Sequence, residues 1–373
     1  MSGLTAEAPH QQGFQGENEA ALLITALRGL PFNVPPEIDW SVLQRIAEEN
    51  GVLALVHQSL VNAGVEIPDF FEAAAQGSRS SAERFANELE GLLQGFAERS
   101  IDVLPLKGPT LALALYGDSA LRTCRDLDLL VRRSEYSRAA ALLLDRGFES
   151  RSRDEYHGKF VRGRLLVELH LDLSSPLHFP FDTEKVWGRS HPDCFRGKPT
   201  RAMCDEDTIL YLCLHGLKHR FSRLIWILDL AQAINASPDL NYKALRNRAR
   251  QEGLEPWLLI GCEIVRTMQA SQLPSGLDAL IAESPKKAKR ASLIAASLFA
   301  EPDQNLRSLY LQLESSTRRR WRSRLGYLAP TPQDHGWAKR HGIFRGLMPM
   351  LRSFRVLGKY GPKRAWRMVF PPK

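Results

Sequence analysis

Between Ile101 and Leu173 the apolar residues stop recurring at helical spacing and fall into short runs. A chain that changes period in this way must build a sheet with helices packed on it, which excludes an all-helical bundle. Ile101–Leu106 and Asp126–Val131 are the first two runs, and the second carries two acids. Ser134–Arg146 then has the pattern of a helix, with Ser134 as N-cap and Gly147 as the stop. Three further strands are predicted at Phe148–Arg153, Lys159–Arg162 and Leu165–Leu173. On either side the period is helical. Trp40, Val42, Leu43, Ile46 and Ala47 share a face that ends at Gly51, and Phe85, Leu89, Leu92, Leu93 and Phe96 mark a helix over Ser81–Arg99. Helical spacing resumes after Asp205, with breaks expected near Pro238, Pro256, Pro274 and Pro330. The expected fold is α+β. A small mixed-sheet core over 101–203 is flanked by helical units over 18–100 and 204–373, and the polar residues 1–17 are expected to be disordered.

The 373 residues are 44% hydrophobic and 25% charged, as in a globular protein of two or three packed units. No apolar run approaches the roughly 18 residues that span a bilayer, and the first residues lack the basic-then-apolar order of a secretory signal. Five cysteines stand apart with no CxxC pair, which argues against a zinc ribbon and fits reduced thiols. A cytoplasmic location follows as the expectation. The net charge of +8 is uneven: residues 304–373 hold 16 Lys or Arg against two acids, leaving 34 basic and 40 acidic residues before them. Such an end attracts phosphates or nucleic acid, or simply forms a solvated basic surface.

The chemistry concentrates in residues 104–131, LPLKGPTLALALYGDSALRTCRDLDLLV. Alternation along a strand puts Asp126 and Asp128 on one side and Leu127 and Leu129 on the other. Two neighbouring carboxylates repel each other, and a divalent cation such as Mg²⁺ (or Mn²⁺) removes that cost while holding substrate phosphates. A lone D-x-D is also what two solvated aspartates at a strand end look like, so the preceding segment matters. There, a strand ends in Lys107-Gly108 and Pro109 stands at the expected N1 position of a helix. Gly108 allows close approach of the backbone to an anion, the helix N-terminus offers free N–H groups, and Lys107 adds positive charge. Arg122 and Arg125 flank the acidic strand and are candidates to neutralise a triphosphate. Phosphate cradle plus paired acids is the equipment of in-line phosphoryl or nucleotidyl transfer.

A third acid is expected on the alternating strand VELHLDL, where Glu168, His170 and Asp172 share a face. Glu168 is the mid-strand choice; Asp172 lies roughly 13 Å farther along, so one compact site cannot use both. In the helical second half, His215 and His219 stand at i, i+4. No carboxylate accompanies them as in H-E-x-x-H, so a substrate cleft or an interhelical contact is favoured over a metal site. Asp229, set among Ile227, Leu228, Leu230 and Ala231, needs a partner such as His219 or a core arginine. It serves either as structure or at the rim of a substrate cleft, for which His170, His215 and His219 are the other candidates.

With these motifs in order, the chain resembles a poorly characterised nucleotidyltransferase family of the DNA polymerase β-type superfamily. The resemblance rests on Leu106-Lys107-Gly108, Leu115-Tyr116, Leu121-Arg122, Asp126-Leu127-Asp128, Gly147-Phe148, Glu168-Leu169-His170, and His215, His219 and residues 224–231. It implies that Asp126 and Asp128 bind metal, that Glu168 is the third carboxylate, and that an NTP is the substrate. The family's occurrence beside peptide-modification genes implies a peptide or small metabolite as acceptor. One departure is clear: the wider superfamily opens the helix before the D-x-D strand with Gly-Ser, and here Lys107-Gly108 takes that place. Phosphate binding then falls to Lys107, backbone N–H groups and Arg122. The competing expectation is a nucleic-acid-binding or regulatory protein with an inactive core, in which RRRWRSR at 318–324 stacks Trp321 and neutralises phosphates.

Overall fold

The computed structural model describes residues 16–154, 156–173, 181–268, 274–283 and 285–300. The basic segment from Gln304, including RRRWRSR and the break at Pro330, lies outside them, as do residues 1–15 of the N-terminal stretch.

Four helices come first: α1 (Glu17–Leu27), α2 (Trp40–Asn50), α3 (Leu53–Asn62) and α4 (Asp69–Glu98). Asp39 caps α2 by accepting from Ser41 N and Val42 N, and Gly51 ends it in the left-handed conformation. Helix α4 is 30 residues long and starts well before the expected Ser81. Its first half, weak in apolar spacing, is held by Phe71 and Ala75 in the N-terminal core, and its second half lays Phe85, Leu89, Leu92 and Phe96 on the sheet. Burial against two cores overrides the low helix propensity of Gly77 and its serine neighbours.

The sheet follows in the expected region, as β1 (Val103–Pro105), α5 (Pro109–Tyr116), β2 (Leu127–Val131), α6 (Tyr136–Asp145), β3 (Glu149–Arg153), β4 (His157–Arg162) and β5 (Leu165–His170). Ser134 is not the N-cap of α6: Glu135 N bonds Arg132 O in a turn, and Glu135 holds the cap position without a side-chain bond. Strand order is β1-β2-β5-β4-β3, with β2 and β5 parallel and the other pairs antiparallel, so the sheet is mixed. The parallel register sets Asp128 opposite Glu168 and Leu130 opposite His170. Leu127, Leu129 and Val131 pack beneath α4 and α6, while Leu130 joins the helical second half on the other face.

Helix α7 (Thr183–Arg189) and a separate hairpin, β6 (His191–Phe195) and β7 (Lys198–Ala202), come next. Neither stands out in the sequence. The hairpin guards the edge strand β1, and Thr200 Oγ1 donates to Val103 O. Then come α8 (Asp205–Lys218), α9 (Leu224–Asn235), α10 (Tyr242–Glu252), α11 (Glu255–Met268), α12 (Ser275–Ala282) and α13 (Pro285–Ala300). Pro256 does not break the chain; it sits in the first turn of α11, where a missing N–H costs nothing. Between α8 and α9 the chain reverses tightly, with Phe221 N bonded to Gly216 O. A Cβ at Gly216 would meet the Phe221 ring at 2.2 Å, so only glycine allows this turn. Helix α9 serves two cores at once: Ile227, Leu230 and Ala231 face the C-terminal helices, and Ile225 completes the core of α1–α4. No helix among the described residues is long and apolar enough to cross a membrane. All five cysteines are free thiols.

Candidate active site

The site begins where β1 ends. Gly108 adopts φ 80° and ψ −139°, a conformation open only to glycine, and Pro109 starts α5 directly behind it. This turn carries the Lys107 side chain over the start of β2. Its ammonium lies 2.8 Å from Asp126 Oδ1 and 2.5 Å from Asp128 Oδ2. The Asp128 Oδ2 contact is a close ion pair with that ammonium. Burial opposes charge on Lys107, but Asp128 and Asp126 outweigh it and raise its pKa. Burial likewise opposes charge on Asp128, which is 5% exposed, yet Lys107 and His170 hold its carboxyl well below the usual range.

The neighbouring strand completes the cluster. His170 Nε2 lies 2.9 Å from Asp128 Oδ1 and 3.6 Å from Glu168 Oε2. Lys159 of β4 binds Glu168 Oε1 at 2.6 Å, and that hydrogen bond raises the lysine's pKa. His157, opposite His170 in the register, stacks on its ring at 5.4 Å. Asp154 holds the His157 Nδ1 edge at 3.0 Å, and burial lowers that imidazole's pKa. Across the cleft, α8 and its C-cap present Tyr211, His215 and His219, and the Trp226 ring of α9 lies tilted against His219 at 5.0 Å. Burial pushes the Tyr211 hydroxyl up and His215 well down, so both rings are neutral near pH 7. The cleft between these walls has a volume of about 250 Å³. A larger cavity of about 370 Å³, lined by residues such as Leu259, Ile260 and Ala291, contains no comparable group of acids, so size alone does not mark the site.

The structure thus brings together Lys107, Asp126, Asp128, Glu168, His170, His215 and His219. Gly108 supplies the turn beside them. Arg122 lies elsewhere: it is 5% exposed and grips Asp229 through Nε at 3.0 Å and Nη2 at 2.9 Å. Tyr116 donates to the same carboxylate at 3.0 Å, so Asp229 pairs with a core arginine and lies off the cleft rather than at its rim. Arg125 is exposed on the loop before β2, and Asp172 pairs with Arg133 at 2.8 Å away from the cleft. Sequence reasoning missed Tyr156, His157, Lys159, Tyr211 and Lys218. Tyr211, His215 and His219 form an i, i+4, i+8 stripe that a helical reading from Asp205 contained. Starting β4 at Lys159 concealed His157, whose side chain lies on the same face as Lys159.

Asp128, Glu168 and His170 each offer one ligand atom, all within 4.8 Å of one another, and Asp126 stands beside them. Two carboxylates and an imidazole, with a third carboxylate at the same cleft, form a donor set that fits a divalent cation. The chain is similar to ANT(2″)-Ia in complex with adenylyl-2″-tobramycin, at 14% identity over 45% of this chain and 97% of that one, with a TM-score of 0.34. It is also similar to an antigenic nucleotidyltransferase-like protein from Paracoccidioides brasiliensis, at 22% identity over 48% and 93% of the two chains, with a TM-score of 0.32. No curated protein matches it. Residues 36–269, which hold every cleft residue named above, match the family described as uncharacterised nucleotidyltransferase. The chain belongs to that nucleotidyltransferase family.

Proposed function

We propose that this protein is a metal-dependent enzyme that moves a nucleoside monophosphate from an NTP to an acceptor, a peptide or small metabolite. The observation that carries this reading is the register of β2 against β5, which sets the D-x-D acids beside Glu168 at the floor of one cleft. Asp126, Asp128 and Glu168 would hold Mg²⁺ or Mn²⁺, which when bound offsets charge on the triphosphate and lowers the barrier to attack at the α-phosphorus. Lys107 releases the carboxylates and turns to the triphosphate, a role suited to a point charge on a flexible stem. The Gly108 turn and the N-terminus of α5 present N–H groups to the same phosphates. Glu168 accepts the proton of the attacking acceptor oxygen as the new P–O bond forms. The bond from the α-phosphorus to its bridging oxygen breaks, and pyrophosphate leaves. Arg125, exposed beside the acids, contributes charge at the mouth, whereas Arg122 serves the fold through Asp229. Free thiols in every cysteine suit work in the cytoplasm.

The test is pyrophosphate release from each NTP, with Mg²⁺ or Mn²⁺ and a set of peptide and small-molecule acceptors. Turnover should vanish in Asp128→Asn while the fold stays intact; turnover that survives this change removes the assignment. A second reading, a nucleic-acid-binding or regulatory protein with an inert core, draws on the contact of Lys107 with both acids. Salt-sensitive nucleic-acid binding without any NTP turnover would select it.

A further inference from the structure

Three cleft acids, Asp126, Asp128 and Glu168, face three lysines, Lys107, Lys159 and Lys218. Their charges balance, so one divalent cation is tolerable before substrate arrives, and a second would enter positive surroundings until a triphosphate is present. The acids also differ in how free they are. Asp128 divides its oxygens, Oδ2 toward Lys107 and Oδ1 toward His170. Asp126 Oδ1 is taken by Lys107, and Asp126 stands outside the compact trio of Asp128, Glu168 and His170.

The nitrogen in that trio is the unusual part. His170 is 7% exposed, fixed by its place in β5 and by the stacked His157 ring. Its Nδ1 is buried without a hydrogen-bond partner, so no second bond on the ring holds it in place. Nε2 is 2.9 Å from one carboxylate oxygen and 3.6 Å from the next. Ligands meeting at right angles on one cation, with bonds of about 2.1 Å, lie about 3 Å apart, so this spacing fits a shared ion. Mg²⁺ takes oxygen ligands and keeps its waters, whereas transition-series ions accept imidazole.

We propose that His170 is a direct metal ligand through the Nε2 lone pair, with the ring proton on Nδ1. With Asp128 and Glu168 it forms a mixed nitrogen and oxygen site that binds one transition-series divalent cation before the nucleotide and prefers Mn²⁺ to Mg²⁺. The site rests on the nucleotidyl-transfer reading for the ion's purpose, and on the donor geometry alone for its existence.

The experiment adds Mn²⁺ to the full chain without nucleotide and follows the free ion by electron paramagnetic resonance. One Mn²⁺ per chain should bind, and an equal concentration of Mg²⁺ should leave it in place. Pulsed measurements on the bound ion should show coupling to a directly ligated ¹⁴N, replaced by the ¹⁵N pattern when wild-type protein carries ¹⁵N-histidine. His170→Gln should remove the coupling and weaken binding about tenfold or more, while His157→Gln keeps both. Absence of nitrogen coupling in the wild type overturns the proposal, as does its loss only in His157→Gln. Ready displacement by Mg²⁺ overturns the stated preference. Nitrogen coupling in a protein that turns over no NTP upholds this site and removes the transfer reading, so the two fail separately.

Discussion

Two clusters of paired opposite charges approach each other where the chain enters β2, at Asp126 and Arg122, and they are built differently. At the cleft, one lysine spans Asp126 and Asp128 with a single ammonium, and the group opens to a cavity. Behind it, Arg122 grips Asp229 with two nitrogens, the half-buried Tyr116 completes the carboxylate, and the ion pair itself is shut off from solvent. The ammonium can leave its carboxylates for another anion without breaking a planar fork; the guanidinium cannot. The first cluster suits exchange of partners and the second suits permanence, fixing the loop before β2 to α9.

The largest expected effect separates the two acids. Asp128→Asn should lower NTP turnover by at least about 10³-fold while the chain stays folded, at a stability cost confined to the lost contacts with Lys107 and His170, because Lys107 keeps Asp126. Equal losses of turnover and stability would erase the distinction between the clusters. Next, Arg122→Met should destabilise the fold by about 3–5 kcal/mol in denaturant titration, since it leaves Asp229 buried and unpaired. The double change Arg122→Met with Asp229→Leu should recover much of that loss, and failure to recover would mean the pair does more than fix the loop. Lys107→Ala should weaken NTP binding by about 1.5–3 kcal/mol in calorimetry and leave Mn²⁺ binding measurable. Unchanged NTP affinity would make Lys107 as static as Arg122.

The smallest effect concerns pH. His215 has a folded pKa well below the ordinary imidazole value, so only the unfolded chain takes up its proton as pH falls from about 6.5. Stability is therefore complete above that pH and declines below it, by at most about 1.4 kcal/mol per pH unit for one such group. Asp128 acts in the same direction in stronger acid: its carboxyl is depressed, and its contribution is lost only below about pH 4. His215→Gln should flatten the unfolding free energy between pH 6.5 and 4.5, and an unchanged slope would show that the α8 wall admits the proton without cost.

Much of this arrangement is local, and the local parts were legible. Alternation alone placed Asp126 and Asp128 together, and Lys107-Gly108-Pro109 announced a strand end, a close approach of the backbone and a helix start. Strand length forbids using both Glu168 and Asp172, and the mid-strand place of Glu168 decides between them. Arg122 shows the limit. Charge and proximity to the D-x-D strand suggested a phosphate ligand, but its fate depends on Asp229, 107 positions later. Position in sequence records no such pairing. The first half of α4 failed for a related reason: its stability comes from two cores that only the folded chain assembles.

The double duty of α9 has a consequence for how the chain is made. Helices α1–α4 emerge from the ribosome before the sheet, yet Ile225, which closes their core, arrives only after the whole sheet has been synthesised. Leu224 N then bonds the Asn50 side chain, and Arg223 reaches the Glu49 carbonyl. Until residues 223–228 appear, the nascent N-terminal helices carry an open apolar seam, which is where a chaperone would hold the unfinished protein.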